Sequence, residues 1–161
     1  LIRILEPPKG AKLYTVNERK LEELWEKIRN YDQLFNDSIR WDEGLFFKRM
    51  LTRETVVLET ETGILFLTDI DENLKAAAHV IFFDHRLSDK IELIRSCLEW
   101  AFLQFNLQRI ETFIPEFART LKRVMENKIG FKYEGRMRNR MFYKGNLCDV
   151  FIHSILKEEV L

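Results

Sequence analysis

Cysteine is scarce: Cys97 and Cys148 are the only two in the chain, far apart and each among apolar neighbours. They form no CxxC pair and no Cys/His cluster at metal-ligand spacing, so no zinc or other metal site is expected. Buried free thiols are the expectation for both. Net charge is missing too, because 26 Lys and Arg balance 26 Asp and Glu. No overall field draws the chain to nucleic acid or to an anionic membrane. No apolar run is long enough to span a bilayer, and no secretory leader pattern is present, so a reducing, cytoplasmic setting is the expectation.

What the chain has in quantity is aromatic bulk. Thirteen Phe and three Trp in 161 residues suggest one core built on large side chains. A single domain over residues 1–161 is expected, with 1–10 as an N-terminal extension cut off by the Pro7-Pro8 and Gly10 breakers.

The hydropathy pattern changes period along the chain. Ala11 to Val16 reads as a short strand, and Asn17 as the cap of a helix carrying Leu21, Leu24, Trp25 and Ile28 on one face. Asp42 to Leu51 reads as a second helix. Glu54–Thr60, Gly63–Asp69 and Leu74–Phe83 then alternate as three strands of an antiparallel meander. A polar loop leads into a helix with Ile91, Ile94, Cys97, Leu98, Ala101, Phe102 and Phe105 on its apolar face. The strand Arg109–Ile114 ends at Pro115, a helix over 117–128 stops at Gly130, and Phe131–Tyr143 and Leu147–Leu156 close the chain as a hairpin. The fold class expected is α+β, with a central mixed, mostly antiparallel sheet of about seven strands flanked by about four helices.

Four stretches in this order carry a resemblance. They are the helix Ile91–Phe105 leading into Arg109-Ile110-Glu111, the passage from Pro115-Glu116 to Lys128-Ile129-Gly130-Phe131, the strand start Tyr133-Glu134-Gly135-Arg136, and the closing Lys144-Gly145-Asn146-Leu147-Cys148-Asp149-Val150 with Leu156-Lys157-Glu158-Glu159. The chain resembles the GNAT superfamily of N-acetyltransferases, in particular the subgroup acting on protein N-termini and small amines. The resemblance covers the C-terminal half from about Ala76, and the N-terminal half shares only the order of elements.

The resemblance implies acetyl-CoA as co-substrate and an amine-bearing acceptor, protein or small molecule. It also implies that the third meander strand splays from its neighbour and offers the backbone of Ile81, Phe82 and Phe83 to the pantetheine arm. The pyrophosphate would then lie over the following loop, His85-Arg86-Leu87-Ser88-Asp89-Lys90, at a helix N-terminus. Family members place glycines there so that backbone can approach phosphate closely. Here Ser88 and Lys90 occupy the glycine positions and His85 the Gln/Arg position, with Arg86 and Lys90 as alternative phosphate partners and Asp89 as an opposing charge.

Two further positions depart from the family. Counting back from Gly130, Arg119 stands where an Asn contacts the cofactor, and Glu126 where a Tyr protonates the leaving thiolate. Arg119 is the candidate for cofactor phosphate, whereas Glu126 reads as a solvated charge. Transfer to an amine needs a base, and the candidates are Glu111 and His79, with Tyr143 as a thiol acid. Each has a plainer reading, His79 as a core histidine and Tyr143 as a rim aromatic. His153 alternates with apolar neighbours and supports no catalytic role. Two functions stay open: an N-acetyltransferase, monomer or homodimer, or a GNAT-fold binding module without catalysis, of the kind some viral and accessory proteins resemble. The arginines at 136, 138 and 140 read as the wet face of a strand rather than a nucleic-acid site.

Overall fold

A computed structural model describes residues 4–15, 18–29, 44, 47–48, 50, 55–82 and 91–161. Seven strands form one sheet in the order β1-β2-β3-β4-β5-β7-β6. They are β1 (Ala11–Thr15), β2 (Val56–Thr60), β3 (Gly63–Asp71), β4 (Lys75–Phe82), β5 (Arg109–Pro115), β6 (Lys132–Tyr143) and β7 (Asn146–Leu156). All neighbours run antiparallel except β4 and β5. The helices are α1 (Glu18–Ile28), α2 (Ile91–Gln104), α3 (Arg119–Val124) and α4 (Lys157–Val160). The mixed, mostly antiparallel sheet expected from the sequence is the one observed. In the second expected helix, Gly44, Phe47, Lys48 and Met50 are helical, and the rest of 42–51 lies outside the described residues.

Strand alternation divides the core between the two faces of the sheet. On one face Val56, Leu58, Leu65, Leu67, Ala76 and Ala78 pack with Leu98, Ala101 and Phe102 of α2 and with Met125 and Ile129. On the other, Val57, Ile64, Phe66 and Ile81 receive Leu21, Leu24, Trp25 and Ile28 of α1. Burying a side chain of this size is worth about 1.5–3 kcal/mol, so these faces decide which way each helix turns.

α1 is further tied down by Glu59 of β2. Tyr14 Oη donates to its carboxylate at 2.6 Å and Lys20 Nζ at 3.2 Å, and Lys27 completes the set. The N-terminal stretch is docked rather than loose. Leu5 N donates to Gln104 Oε1 at 2.6 Å, and Trp100 Nε1 of α2 donates to Leu5 O at 3.2 Å.

Three details differ from the sequence reading. The helix expected over 117–128 begins at Arg119, because Glu116 and Phe117 form the turn that leaves β5. Its end is a π-turn, Met125–Ile129, which one surplus residue produces and a 3.6-residue pattern does not reveal. Gly130 then closes it at φ +103°, as a left-handed cap. The chain also ends in the short helix α4 after Leu156, where no element was expected.

Candidate active site

The sheet is open in its middle. β4 and β5 pair at only three positions, Lys75 with Arg109, Ala76 with Ile110 and Ala77 with Glu111. Beyond them β4 continues as Ala78–Phe82, held on its other side by β3, and β5 continues as Thr112–Pro115, held by β7. The result is a wedge whose root lies at Ala77 and Glu111. Among the described residues, no strand pairs with the β5-facing edge of β4 beyond Ala77. Such an edge is a ready template for an extended ligand that can hydrogen-bond like a strand. Three consecutive alanines, Ala76 to Ala78, keep the root narrow and free of bulk. A small apolar recess lined by Gly63, Val80, Phe82, Leu93, Ile94 and Cys97 lies between the end of β4 and the start of α2.

Glu111 and His79 share one face of the sheet at this root. Glu111 pairs with Ala77 in register, and His79 is two residues further along β4, so both side chains project to the α1 side. His79 Nε2 lies 3.2 Å from Thr68 Oγ1 on β3, and the ring is half-buried. Glu111 is committed to cations: Arg109 Nε donates to it at 2.9 Å, and Lys75 Nζ stands at 3.8 Å. Arg109 also grips Glu134 of β6 with both terminal nitrogens, at 2.9 and 2.7 Å. Ser154 Oγ adds a third hydrogen bond to Glu134 at 2.5 Å. The Arg109 guanidinium, helped by Ser154, holds the Glu134 carboxyl down at about 2. The base of the wedge is therefore braced by a charge network that crosses β4, β5, β7 and β6.

Tyr143 is not brought to that root. It pairs with Asn146 at the hairpin tip, whereas Glu111 pairs with Ser154. Eight residues of β7 separate the two levels, about 26 Å along the strand. The Tyr143 ring stacks on Phe117 instead, with centroids 3.9 Å apart, beyond the C-terminal end of β5. A joint constellation of Glu111, His79 and Tyr143 is thus not formed. The reason is that β6 and β7 are long, so the tip of their hairpin stands far from the closed end of the sheet.

Arg119 is exposed at the first residue of α3. Ile81 and Phe82 lie on the open stretch of β4. Phe83, His85, Arg86, Leu87, Ser88, Asp89 and Lys90 lie outside the described residues.

The pairing of Glu126 with His153 escaped the sequence reading. His153 is fully buried, and its Nε2 lies 2.8 Å from Glu126 Oε1. Lys122 Nζ donates to the same oxygen at 2.6 Å. These hydrogen bonds, Lys122 first, hold the Glu126 carboxyl below its usual range. Its partners sit on its own helix and on β7, where His153 pairs with Thr112 of β5. Nothing in the sequence linked His153 to a residue 27 positions away.

Burial pushes the Cys97 thiol up to about 11, which makes it inert at neutral pH. Among the described residues, no group of three or more His, Cys, Asp or Glu is placed to hold a metal ion. No described helix is long and apolar enough to cross a membrane.

A seven-stranded, mostly antiparallel sheet that parts between its two parallel neighbours is the GNAT fold, and this chain has it. Similar solved structures cover almost the whole chain. A mutant of the spermidine N-acetyltransferase SpeG from Vibrio cholerae superposes with a TM-score of 0.71 at 20% identity, covering 94% of this chain and 96% of that one. The same organism's spermidine N-acetyltransferase in complex with CoA and spermine gives 0.70 at 18% identity, with 94% and 98% covered. A probable acetyltransferase gives 0.67 at 20% identity, with 96% and 97% covered. In sequence, the chain is 35% identical over 69 residues to an uncharacterized N-acetyltransferase p20 from Bacillus licheniformis. That match spans 42% of this chain and 38% of the relative, less than two fifths of the relative's length. No family model matches.

Proposed function

We propose that this chain, acting as one domain, transfers an acetyl group from acetyl-CoA to a primary amine, and that it does so inside the cell. The observation that carries the reading is the early end of the β4–β5 ladder: among the described residues, Ala78–Phe82 pair with β3 alone in the middle of the sheet. The pantetheine arm carries amides that can pair along the other edge, and Ile81 and Phe82 are the described residues assigned to it. His79 is assigned as the base, direct or through water, because it lies at the root of the wedge and imidazole is the side chain most often used for this role. Glu111 is assigned to positioning rather than proton transfer, since Arg109 and Lys75 already occupy its carboxylate. Arg119 and residues His85 to Lys90 are assigned to the cofactor's phosphates, and Phe83 goes with Ile81 and Phe82. The acceptor is an amine on a protein or a small molecule, and spermidine belongs in the first panel because similar structures are spermidine acetyltransferases.

Calorimetric titration with acetyl-CoA is the first test, with saturable heat expected below millimolar concentration. Thiol release is then followed with spermidine, a lysine peptide and a peptide with a free N-terminus. Absence of binding ends the reading. Binding without transfer to any acceptor favours the second reading, a GNAT-fold module that binds without catalysis. The engagement of Glu126 by His153 and Lys122 supports that alternative, because no acid replaces the family's tyrosine at that position.

A further inference from the structure

Asp149 is the most heavily engaged carboxylate near the mouth of the wedge, and none of the roles assigned above uses it. It lies on β7 and is 8% exposed. Its Oδ1 accepts the backbone N–H of Asn139 at 2.7 Å, and its Oδ2 accepts a hydrogen bond from Arg136 Nε. Its own backbone is bound twice by the residue that follows β5. Asp149 N donates to Glu116 Oε1 at 3.0 Å, and Glu116 N donates to Asp149 O at 3.0 Å. Arg136 Nη2 stands 3.9 Å from the other Glu116 oxygen, closing a ring of charge and hydrogen bonds.

This ring sits where the β6–β7 register slips. Met137 pairs with Val150 and Met141 with Cys148, so residues 138–140 of β6 face Asp149 alone. Asn139 adopts φ +50° at the crest of that bulge, a conformation that asparagine tolerates better than most residues. The Asp149 carboxylate supplies the acceptor that the interrupted ladder no longer offers, and the bulge bends the strand about that point. Everything distal to it, including Tyr143, is aimed by this bend. Glu116 ties the same node to the turn that presents Phe117, against which Tyr143 stacks.

We propose that Asp149 is a positioning residue: through Asn139, Arg136 and Glu116 it fixes the Phe117–Tyr143 stack as a wall of the wedge's mouth, and so sets the affinity for the amine acceptor. The second half of this statement rests on the acetyltransferase reading, whereas the first half does not. Misplacing a binding wall weakens binding without altering the reacting groups, so KM for the amine responds more than kcat.

Asp149→Ala and Asp149→Asn are compared with wild type by hydrogen exchange over 137–147 and by steady-state kinetics. Lys132→Ala, which removes a surface pair with Glu159 at the other end of β6, is the control. In Asp149→Ala the Asn139 amide should lose its protection and the aromatic NMR shifts of Phe117 and Tyr143 should move. KM for the amine should rise about tenfold, with kcat and KM for acetyl-CoA within about twofold. Asp149→Asn keeps one carbonyl acceptor for Asn139 and should recover part of both effects. Unchanged exchange and aromatic shifts overturn the proposal, and so does a fall in kcat at constant KM. If wild type itself transfers acetyl to no amine, the acetyltransferase reading and the KM claim fall together, and the exchange result alone decides whether Asp149 holds the wall.

Discussion

At the start of β3, Gly63 lies against the end of β4, and a Cβ placed on it would stand 2.4 Å from the carbonyl oxygen of Ile81. That oxygen is backbone and cannot swing aside, so Gly63→Ala must push the two strands apart beside the open stretch of β4. A loss of about 1–3 kcal/mol is expected, read as a lower urea midpoint at unchanged slope. Glu59 makes a prediction of another kind. Burial alone would raise its pKa, but hydrogen bonds from Lys27, Tyr14 and Lys20 outweigh burial and hold it at about 2. A depressed carboxyl contributes stability that is complete above its unfolded value and is lost as pH falls toward the folded one. Wild-type Tm should therefore drop between the ordinary carboxylate range and pH 2, and Glu59→Gln should flatten that drop while lowering Tm at neutral pH. Burdens of this kind were hard to foresee from the chain, because Glu59, Lys27 and Tyr14 are far apart in sequence and only folding brings them together. The same is true of Glu126 with His153, whereas the burial of Cys97 was expected from its apolar neighbours alone.

Elements were far more legible than partnerships. The switch from a 3.6-residue to a two-residue period at Glu54, and back again at Ile91, is enough to order the strands and helices. What the pattern hid were irregularities of one or two residues: the π-turn at Met125–Ile129, the bulge at residues 138–140 and the slip between Thr68 and Asp71. None alters which face is apolar, so hydropathy does not record them. α2 illustrates a gain of another sort. Its face was expected to hold Ile91 through Phe105, yet it also turns Trp100 inward, onto Phe105 and the Leu5 carbonyl. Trp100→Phe keeps the aromatic bulk and removes the donor, and should cost about 1 kcal/mol in a denaturation series. β6, at the rim of the sheet, carries Lys132, Glu134, Arg136, Arg138 and Arg140 along an exposed strand. Charges and a bulge on an edge strand discourage pairing with foreign strands. That gives the arginine run a physical reason requiring no nucleic acid.

For the whole molecule, the resemblance in the C-terminal half was a sound guide to architecture, and the N-terminal half followed through element order. Residues 85–90, which the resemblance assigns to the cofactor's pyrophosphate, depart from the family pattern in sequence, so binding is the first thing to measure. Ligand linkage is the natural question. Acetyl-CoA at a hundred times its Kd should add about 2.7 kcal/mol of stability, visible as a raised Tm in a thermal scan. An unchanged Tm counts against any site in the wedge.

The three-residue weld between β4 and β5 has a mechanical consequence. It makes the sheet two plates joined at one corner, β1 to β4 on one side and β5, β7 and β6 on the other. Whatever lies in the gap takes the part of a missing strand and stiffens the joint. The amides of Ala78 to Phe82 that point away from β3 should then trade solvent hydrogen quickly in the empty protein and slowly in the filled one. Occupancy would be written in the sheet's own rungs, whether or not a reaction follows.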